Sequence, residues 1–293
     1  MIAGKKLNVF LHILFIILVA CVIFPILMML AVSLTDNSTL ISKGYSIWPE
    51  HFSLASYHYI FSDPVKILRA YGVTIFNTVV GAFLSVSVIV LYAYPLSRHD
   101  FKLKKVMTFY IFFTMLFSGG TVSWYIVCTS IFRLSNKIWA MILPNLMNAW
   151  YVIIMRTFFK TSVPVALIES GKLDGAGEFR ILLQLVLPIS LPGVATIALF
   201  QVLSYWNDWW LPIMFIVEPK LYNLQFLLQQ MMQNIQLLNE SPEYAQAVQG
   251  SMEIPTEGAR MALCFVALGP ILVTYPFFQK YFIQGLTVGS IKE

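Results

Sequence analysis

The stretch Glu169-Ser-Gly-Lys-Leu-Asp-Gly-Ala-Gly-Glu178 is a polar island, rich in small residues, in a chain of long hydrophobic segments. Prolines flank this polar island: Pro164 stands before it, and Pro188 and Pro192 separate it from the next apolar run. A run with this many charges and glycines is costly inside a lipid bilayer, so we expect it to face water or another protein.

The composition is that of a membrane protein. Of the 293 residues, 58% are hydrophobic and 11% are charged, and the mean hydropathy is +0.75. Ordinary soluble domains carry about 25% charged residues, whereas a helix of about 20 apolar residues crosses a hydrocarbon core of ~30 Å. Six segments fit such helices, at about residues 9–32, 72–96, 106–132, 138–156, 193–217 and 261–279. The predicted fold class is an all-α polytopic membrane protein with one transmembrane domain over residues 1–293.

Lysine and arginine residues set the predicted orientation. The first segment follows Lys5 and Lys6 as a signal peptide would, but its 24 residues exceed the apolar core of about 7–15 that a signal peptide has. With the N-terminus inside, twelve of the 19 Lys and Arg residues are cytoplasmic and seven are external, in agreement with the positive-inside rule. Both termini and the loop 163–190 would be cytoplasmic, and segments 35–71 and 218–260 external. Gly119-Gly120 is expected to kink the third span or to end its lipid-facing part.

Several function classes are excluded by what the chain lacks in sequence. The net charge of +5 follows from membrane topology, since no basic face or aromatic-basic module indicates nucleic-acid binding. Cys21, Cys128 and Cys264 lie in apolar runs without metal-ligand spacing, and the four histidines form no His-x-x-x-His pair. We therefore expect no catalytic residue, no metal site and no cofactor in this chain.

The polar island predicts two short helices joined by a tight turn. Pro164 suits the first turn of a helix over Val165–Leu173. The apolar side of that helix would hold Leu167, Ile168 and Leu173. Asp174 is a candidate N-cap of the second helix, and Glu178 in its first turn complements the helix dipole. A phosphate-binding loop is excluded because no Gly-Lys-Ser/Thr follows the glycines, but shape alone also fits a plain amphipathic hairpin at the membrane surface.

The residues of the polar island resemble a known motif. Glu169, Asp174-Gly-Ala176 and Leu187-Pro188 have the spacing of the EAA loop of ABC importer permeases, with Ser170 and Gly171 where that family usually has two alanines. Other runs are similar to the carbohydrate-importing branch of the family, and the tail is similar to its polysaccharide-importing subgroup. These runs are residues 154–160, 205–207, 275–282 and 285–292.

The resemblance implies a type I ABC importer permease fold with six spans and a coupling role for the polar island. Seated in a separate ATPase subunit, the polar island would make contact through Glu169, Ser170, Gly171, Asp174, Gly175, Ala176 and Gly177. ATP and Mg would be bound by that partner, because this chain has no Walker motif, so the chain would not itself be an enzyme.

The resemblance also implies partners, a location and a substrate. The partners would be two ATPase subunits, a second homologous permease that forms a heterodimer with this chain, and a periplasmic or extracellular substrate-binding protein. The location would be the bacterial cytoplasmic (inner) membrane, with the lipid bilayer around the spans. The substrate would be an oligo- or polysaccharide, with an acidic one such as alginate as the first choice.

Polar residues within the predicted spans indicate a transport path. Asp208 is an acidic residue well inside a predicted span, where a charge costs about 2.5–3.5 kcal/mol at the centre. Amide, carboxylate and aromatic groups together suit a sugar, because hydroxyls bond to the polar groups while pyranose faces stack on the rings. The candidates are Tyr205, Trp206, Asn207, Asp208, Trp209, Asn145 and Asn148. An interfacial aromatic belt explains the tryptophans equally well, and interhelical hydrogen bonds explain the two asparagines of the fourth span equally well.

Two other function classes are weighed against the importer permease. A stand-alone secondary sugar transporter would use ionisable residues in mid-membrane and often an internal repeat, and one aspartate without a visible repeat argues against it. A membrane enzyme would need a cluster of reactive side chains that the sequence does not offer. The external segment 218–260 would contact the binding protein by resemblance, and an inert surface loop is its alternative.

Overall fold

The computed structural model describes residues 2–240, 257–268 and 276. Within those ranges the regular structure is helical, and the one extended pairing is an isolated antiparallel bridge between Thr35 and Phe52. The predicted all-α class is confirmed for this part of the chain. The helices are α1 (Ile2–Ser33), α2 (Asn37–Lys43), α3 (Ala55–Ile60), α4 (Pro64–Ser97), α5 (Lys104–Leu116), α6 (Gly120–Ile126), α7 (Ala149–Ser162), α8 (Val165–Leu173), α9 (Glu178–Ile181), α10 (Leu187–Ile189), α11 (Leu191–Trp206), α12 (Trp210–Phe215), α13 (Leu224–Glu240) and α14 (257–268).

Two helices are long and apolar enough to cross a membrane unbroken. One is the Leu7–Ser33 part of α1, with 27 residues, and the other is α4, with 34 residues. At a rise of 1.5 Å per residue both exceed the ~30 Å of a hydrocarbon core. The helix α4 starts at Pro64, ahead of the predicted second span, because the polar residues before Gly72 do not interrupt its backbone hydrogen bonds.

Three further candidate spans are bent pairs of helices, which gives up to five spans within the described residues if each pair counts as one. The bends are 116° between Lys104–Leu116 and Gly120–Ile131, 49° between Ile138–Asn145 and Ala149–Ser162, and 85° between Glu178–Ile189 and Leu191–Trp206. The first bend lies at the Gly119-Gly120 pair, where Gly120 has a φ of +80° that favours glycine.

Several predicted spans are therefore not continuous helices. The third and fourth are bent as described, and the fifth is interrupted between Trp206 and Trp210, where α11 ends and α12 begins. In the predicted external segment 218–260, α13 is a regular helix. The predicted sixth span is described only as far as residue 268, and the runs 275–282 and 285–292, apart from Pro276, lie outside the described residues.

The described chain forms two compact units. The first comprises the described parts of Met1–Ile67 and Leu228–Pro270. In it the hydroxyl of Tyr45 donates a 2.8 Å hydrogen bond to Glu257 Oε2 at the start of α14, and Ser33 Oγ lies 3.0 Å from the hydroxyl of Tyr57. The first contact holds the segment after α2 against the start of α14, and the second holds α3 against the end of α1.

The second unit comprises Leu68–Leu227 among the described residues and contains the polar island. Its main core joins the C-terminal half of α4 to α7, to α8 and to the helix Glu178–Ile189. Close approach of α4 to α11 depends on Gly81, where a Cβ atom would lie 2.6 Å from Tyr205 Cε1. The polar island is thus mounted on the packed ends of long helices rather than on a free loop.

Candidate functional site

The polar island begins with the helix that the sequence predicts. After Pro164, α8 runs over Val165–Leu173, and it ends in a Schellman motif with Gly175 at a φ of +75°. The Gly175 N–H donates to the Lys172 carbonyl at 3.0 Å, and the Ala176 N–H donates to the Gly171 carbonyl at 3.0 Å. Both bonds satisfy carbonyls that a helix end otherwise leaves without partners.

The predicted N-cap role of Asp174 is wrong. Asp174 is the C-cap of α8, and the next helix begins at Glu178 with Gly177 as its cap residue and no side-chain cap bond. The Schellman motif uses the backbone at 174–176 to end one helix, so the second helix can start only after the turn. The predicted apolar role of Leu173 is also wrong, since 89% of this residue is exposed.

The helix α8 packs on the helix Glu178–Ile189 through a glycine. A Cβ atom on Gly171 would lie 2.9 Å from Leu185 Cδ1 and 3.4 Å from Ile181 Cγ1. Ile168, one turn earlier on the same face, is 7% exposed. The EAA loop usually has alanine at this position. Here the residue is glycine, and the large side chain of Leu185 occupies the space that an alanine methyl group would need.

Charged groups tie the polar island to the turn between α4 and α5. Lys172 Nζ lies 2.5 Å from Asp100 Oδ2 and 3.0 Å from Glu178 Oε1. The hydroxyl of Tyr94, on α4, donates a 2.7 Å hydrogen bond to Glu178 Oε2. Arg98 Nε lies 3.4 Å from Asp100 Oδ1, which completes the balance of charge. We call Tyr94, Asp100, Lys172 and Glu178 the clamp network.

The Asp100–Lys172 pair of the clamp network is ionised over a wide range of pH. The hydrogen bond from Lys172 lowers the pKa of Asp100 to about 2, and partial burial opposes this effect only in part. The hydrogen bonds to Asp100 and then to Glu178 raise the pKa of Lys172 above its usual value of 10.5. At neutral pH the pair therefore carries its full opposite charges.

The opposite edge of the polar island is exposed. Glu169, Ser170 and Asp174 have exposed side chains, and within the described residues the two carboxylates take part in no ion pair. A Cβ atom at Gly175 or Gly177 would meet no atom within 4 Å. We call Glu169, Ser170, the residues 173–175 and Gly177 the free edge; its two carboxylates make it acidic, and Glu169 lines one surface pocket together with Asp100 and Lys172. The free edge therefore suits a basic cleft of another protein.

A second feature is a polar cavity of about 520 Å³, a size in the range of small-molecule sites. It lies where α6 begins and where α12 begins. Its lining consists of Ser118, Gly119, Gly120, Thr121, Trp124, Asn145, Asp208, Trp210 and Leu211. Two indole rings and two amide or carboxylate groups therefore face one cavity, which is the combination that binds sugar hydroxyls and pyranose faces.

Asp208 is both a helix cap and a cavity residue. Its Oδ1 accepts hydrogen bonds from the backbone N–H groups of Trp210 and Leu211, each at 3.1 Å, and so caps α12. Its Oδ2 is buried and has no hydrogen-bond partner among the described residues. A buried carboxylate oxygen without a partner is costly, which favours a water molecule or a ligand group as its partner.

The predicted path residues do not all meet in the polar cavity. Asn145 and Asp208 do. Tyr205 and Trp206 are buried, and the Tyr205 hydroxyl donates to the Ile142 carbonyl at 3.0 Å, so Tyr205 serves the packing of α11. Three other candidates do not line the cavity either: Asn148, which caps α7 through the Trp150 N–H, Asn207, which bonds to the Leu203 carbonyl, and Trp209. Trp210, which sequence reasoning did not select, lines it.

Gln201 is a second residue that sequence reasoning missed. It is 2% exposed, and its Nε2 has no hydrogen-bond partner within the described ranges. It faces a smaller cavity of about 70 Å³ that it shares with Asn145 and Asn148. A glutamine inside the uncharged and mostly apolar run 193–205 was the available sequence signal, because an amide is expensive within a membrane helix.

Comparison with known proteins places this geometry in a family. The sequence model described as "Binding-protein-dependent transport system inner membrane component" matches residues 76–288, which include the polar island and the residues around both cavities. The match covers well over half of the chain.

Two curated relatives span nearly the whole chain. The polygalacturonan/rhamnogalacturonan transport system permease protein YtcP of Bacillus subtilis (strain 168) is 36% identical over 271 residues, or 92% of each chain. Protein LplC of the same organism is 35% identical over 273 residues, which are 93% of this chain and 90% of that one.

A solved structure is similar along the same length. It is a chain of a bacterial ABC transporter involved in the import of the acidic polysaccharide alginate. The TM-score is 0.79 at 26% sequence identity, with 96% of this chain and 98% of the other covered.

Proposed function

The chain belongs to the family of binding-protein-dependent transport system inner membrane components, and on that premise we propose how it works and what it carries. It is a permease of a carbohydrate ABC importer with a helical fold of the type I kind. Family membership removes the alternative of a stand-alone secondary transporter. A separate subunit would hydrolyse ATP, and this chain would change conformation in response, so that the transport path opens to one side of the membrane and then to the other.

The polar island is the proposed contact with the ATPase. The observation that carries this proposal is the free edge: two carboxylates and a glycine turn project from a firmly packed base. Glu169 and Asp174 would pair with basic groups of the ATPase, and the absence of side chains at Gly175 and Gly177 would let the two backbones approach. Of the remaining predicted contacts, Ser170 lies on the free edge. Gly171 is buried and Ala176 packs against the core, so both lie behind the free edge.

The proposed substrate is an acidic oligo- or polysaccharide. Alginate and polygalacturonan, named for the solved neighbour and for one relative, are both polymers of uronic acids, and this shared chemistry supports the choice. The polar cavity would hold sugar rings against Trp124 and Trp210, with Asn145 and Asp208 Oδ2 bonded to hydroxyls. Because Asp208 would repel a uronate, we place hydroxyl groups and not carboxylates at this point of the path.

The working complex would contain this permease, a second homologous permease, two ATPase subunits with ATP and Mg, and a substrate-binding protein, in the bacterial inner membrane with both termini of this chain in the cytoplasm. The external segments 35–71 and 218–260 would meet the binding protein. Each of these assignments is supported by the family or by the charge distribution of the sequence.

A tryptophan in the turn tests the coupling proposal. We expect Gly175→Trp to abolish co-purification of the ATPase with the permease pair, because the indole fills the space in which the two subunits approach. The matched control is Gly44→Trp, since Gly44 has a similar φ of +78° and equal room around a Cβ but lies in a predicted external segment. Normal ATPase binding and transport in Gly175→Trp would overturn the proposal.

A sugar panel tests the substrate. We expect uronate oligosaccharides, delivered by the cognate binding protein, to stimulate ATP hydrolysis by the reconstituted importer more than neutral oligosaccharides of equal length. Stimulation by neutral sugars alone would leave the importer assignment intact and refute the acidic substrate.

A further inference from the structure

We propose that Tyr94 and Asp100 are positioning residues for energy coupling: through Lys172 and Glu178 they hold the polar island, so that its free edge is presented to the ATPase in a fixed orientation. This inference rests on the coupling role proposed for the polar island. It assigns function to Lys172 and Glu178, neither of which belongs to the free edge.

The contacts join parts of the chain that local folding does not bring together. Lys172 and Asp100 are 72 positions apart, and Tyr94 and Glu178 are 84 positions apart. The two helices of the polar island are also fixed to each other here, since Lys172 is in the last turn of α8 and Glu178 is the first residue of α9. One ammonium group therefore links α8, α9 and the α4–α5 turn.

The short turn between the two helices of the polar island has few contacts that could fix its orientation. Apart from the Schellman bonds, residues 174–177 are exposed or half-buried, and two of the four are glycines. The packing of Gly171 on Leu185 sets the distance between the two helices. The clamp network adds a separate contact between them, from Lys172 to Glu178, which limits how far one helix can turn against the other.

The clamp network also gives the polar island a direct connection to the long helices. Tyr94 is 6% exposed on α4, and its ring meets Phe159 of α7 edge to face, with 6.3 Å between centroids. The hydroxyl of Tyr94 donates the hydrogen bond to Glu178. A force on the free edge would therefore pass through Glu178 to Tyr94 and so to α4 and α7 together.

The pairs at the surface are not a general source of stability. The side chain of Lys172 is 39% exposed and that of Asp100 is 55% exposed, and such pairs contribute little to unfolding free energy because water and salt screen them. Their loss should therefore leave folding and assembly nearly unchanged while the orientation of the polar island relaxes. This separation of effects makes the proposal testable.

The test uses the reconstituted importer with both permeases, the ATPase and the binding protein. In Asp100→Asn and in Lys172→Met we expect the amount of sugar transported per ATP hydrolysed to fall by about fivefold, at unchanged yield of the complex. The double variant should lose no more than Lys172→Met alone, because the Lys172–Asp100 contact is already absent from that single variant. Lys172→Arg should retain most of the ratio, and raising the salt from about 0.1 M to about 1 M should lower the wild-type ratio more than that of Lys172→Met.

Matched variants make the outcome decisive. Lys102→Met removes a charge from the same α4–α5 turn, at an exposed residue outside the clamp network, and should behave as wild type. Tyr94→Phe removes one hydroxyl and leaves the buried ring, so it keeps the test valid if the charge variants assemble poorly. One outcome would contradict the positioning role and leave the coupling role standing. In it, Gly175→Trp loses ATPase binding, while Asp100→Asn, Lys172→Met and Tyr94→Phe keep the wild-type ratio of transport to ATP hydrolysis. Normal function of Gly175→Trp would instead remove the coupling role itself.

Discussion

The hydroxyl of Tyr94 lies 2.7 Å from Glu178 Oε2, so the side chain of a buried helix residue ends on the first residue of the second island helix. Glu178 has a partner on each oxygen, because Lys172 Nζ is 3.0 Å from Oε1. The carboxylate also lies at the positive end of the helix that it begins, which adds a modest favourable term. Contacts of this kind attach the polar island to α4.

The close packing at Gly171 predicts that size is limited there. Gly171→Leu should lower the unfolding free energy by about 1–3 kcal/mol, because the new side chain has no room beside Leu185 and Ile181. Leu185→Ala in the same chain should restore part of the loss by making space. Thermal unfolding of the purified permease would measure both, and additive effects of the two changes would contradict a shared contact.

The left-handed backbone at Gly175 predicts a difference between two small substitutions. Gly175→Asn should be tolerated, because asparagine adopts positive φ readily. Gly175→Val should cost about 1–2 kcal/mol from backbone conformation, since a Cβ at this position meets no atom within 4 Å. Unfolding temperatures of the two variants, compared with wild type, check this order.

The double role of Asp208 predicts that transport and stability can be separated. Asp208→Asn keeps an oxygen to accept the N–H groups of Trp210 and Leu211, so α12 should remain capped. Asp208→Ala should cost about 0.5–2 kcal/mol of stability by losing the cap. If Oδ2 receives a sugar hydroxyl, both variants should transport less. A transport defect confined to Asp208→Ala would indicate a structural role alone.

The buried amide of Gln201 predicts an effect on substrate and not on folding. Gln201→Leu should leave the unfolding temperature unchanged or raised, since it removes an Nε2 that has no partner among the described residues. If a sugar hydroxyl reaches the Gln201 amide through the small cavity, the sugar concentration that gives half-maximal stimulation of ATP hydrolysis should rise by about tenfold, the equivalent of one good hydrogen bond of about 1.4 kcal/mol. Thr196→Val on the same helix, away from the small cavity, is the control.

The shifted pKa values of Asp100 and Lys172 predict that the energy of their interaction stays constant over a broad range of pH. Because the pKa of Asp100 falls from 3.8 to about 2 on folding, its contribution is complete above the unfolded value and is lost only as the pH falls through about 2. Because the pKa of Lys172 rises above 10.5, its contribution is complete below that value and is lost as the pH rises beyond it. The interaction energy from a double-mutant cycle at Asp100 and Lys172 should therefore be constant between about pH 5 and about pH 9. A change across that range would exclude this ion pair as its source.

Local sequence features predicted the base of the site well. The bounds of α8 follow from Pro164 and from the glycine turn, and the proline break at residues 188–192 corresponds to the 85° bend. Asp174 was misassigned because a cap residue between two helices has the same sequence signature at the end of one as at the start of the other. The clamp network was not predicted, since a Lys172–Asp100 pair 72 positions apart leaves no periodic signal.

The transport path was harder to predict for a different reason. Hydropathy reports whether a segment can be buried, but not whether its helix is continuous, so the break at Asn207–Trp209 was missed and Tyr205 was assigned to the path although its ring is in the core. Helix breaks at membrane depth are tolerated where they line a cavity, and the residues at such a break are the ones to examine first. The family and the substrate class rest on comparison with known proteins.

The length of α4 has a mechanical consequence. Its 34 residues extend over about 51 Å at 1.5 Å per residue, which is about 20 Å more than the hydrocarbon core that it would cross. Tyr94 sits in the last turn of this rod, and Pro64 is at its other end. A helix without a loop or break transmits displacement as a lever does, so a shift of a few ångströms at the Tyr94 hydroxyl would be felt on the opposite face of the bilayer with no further element required.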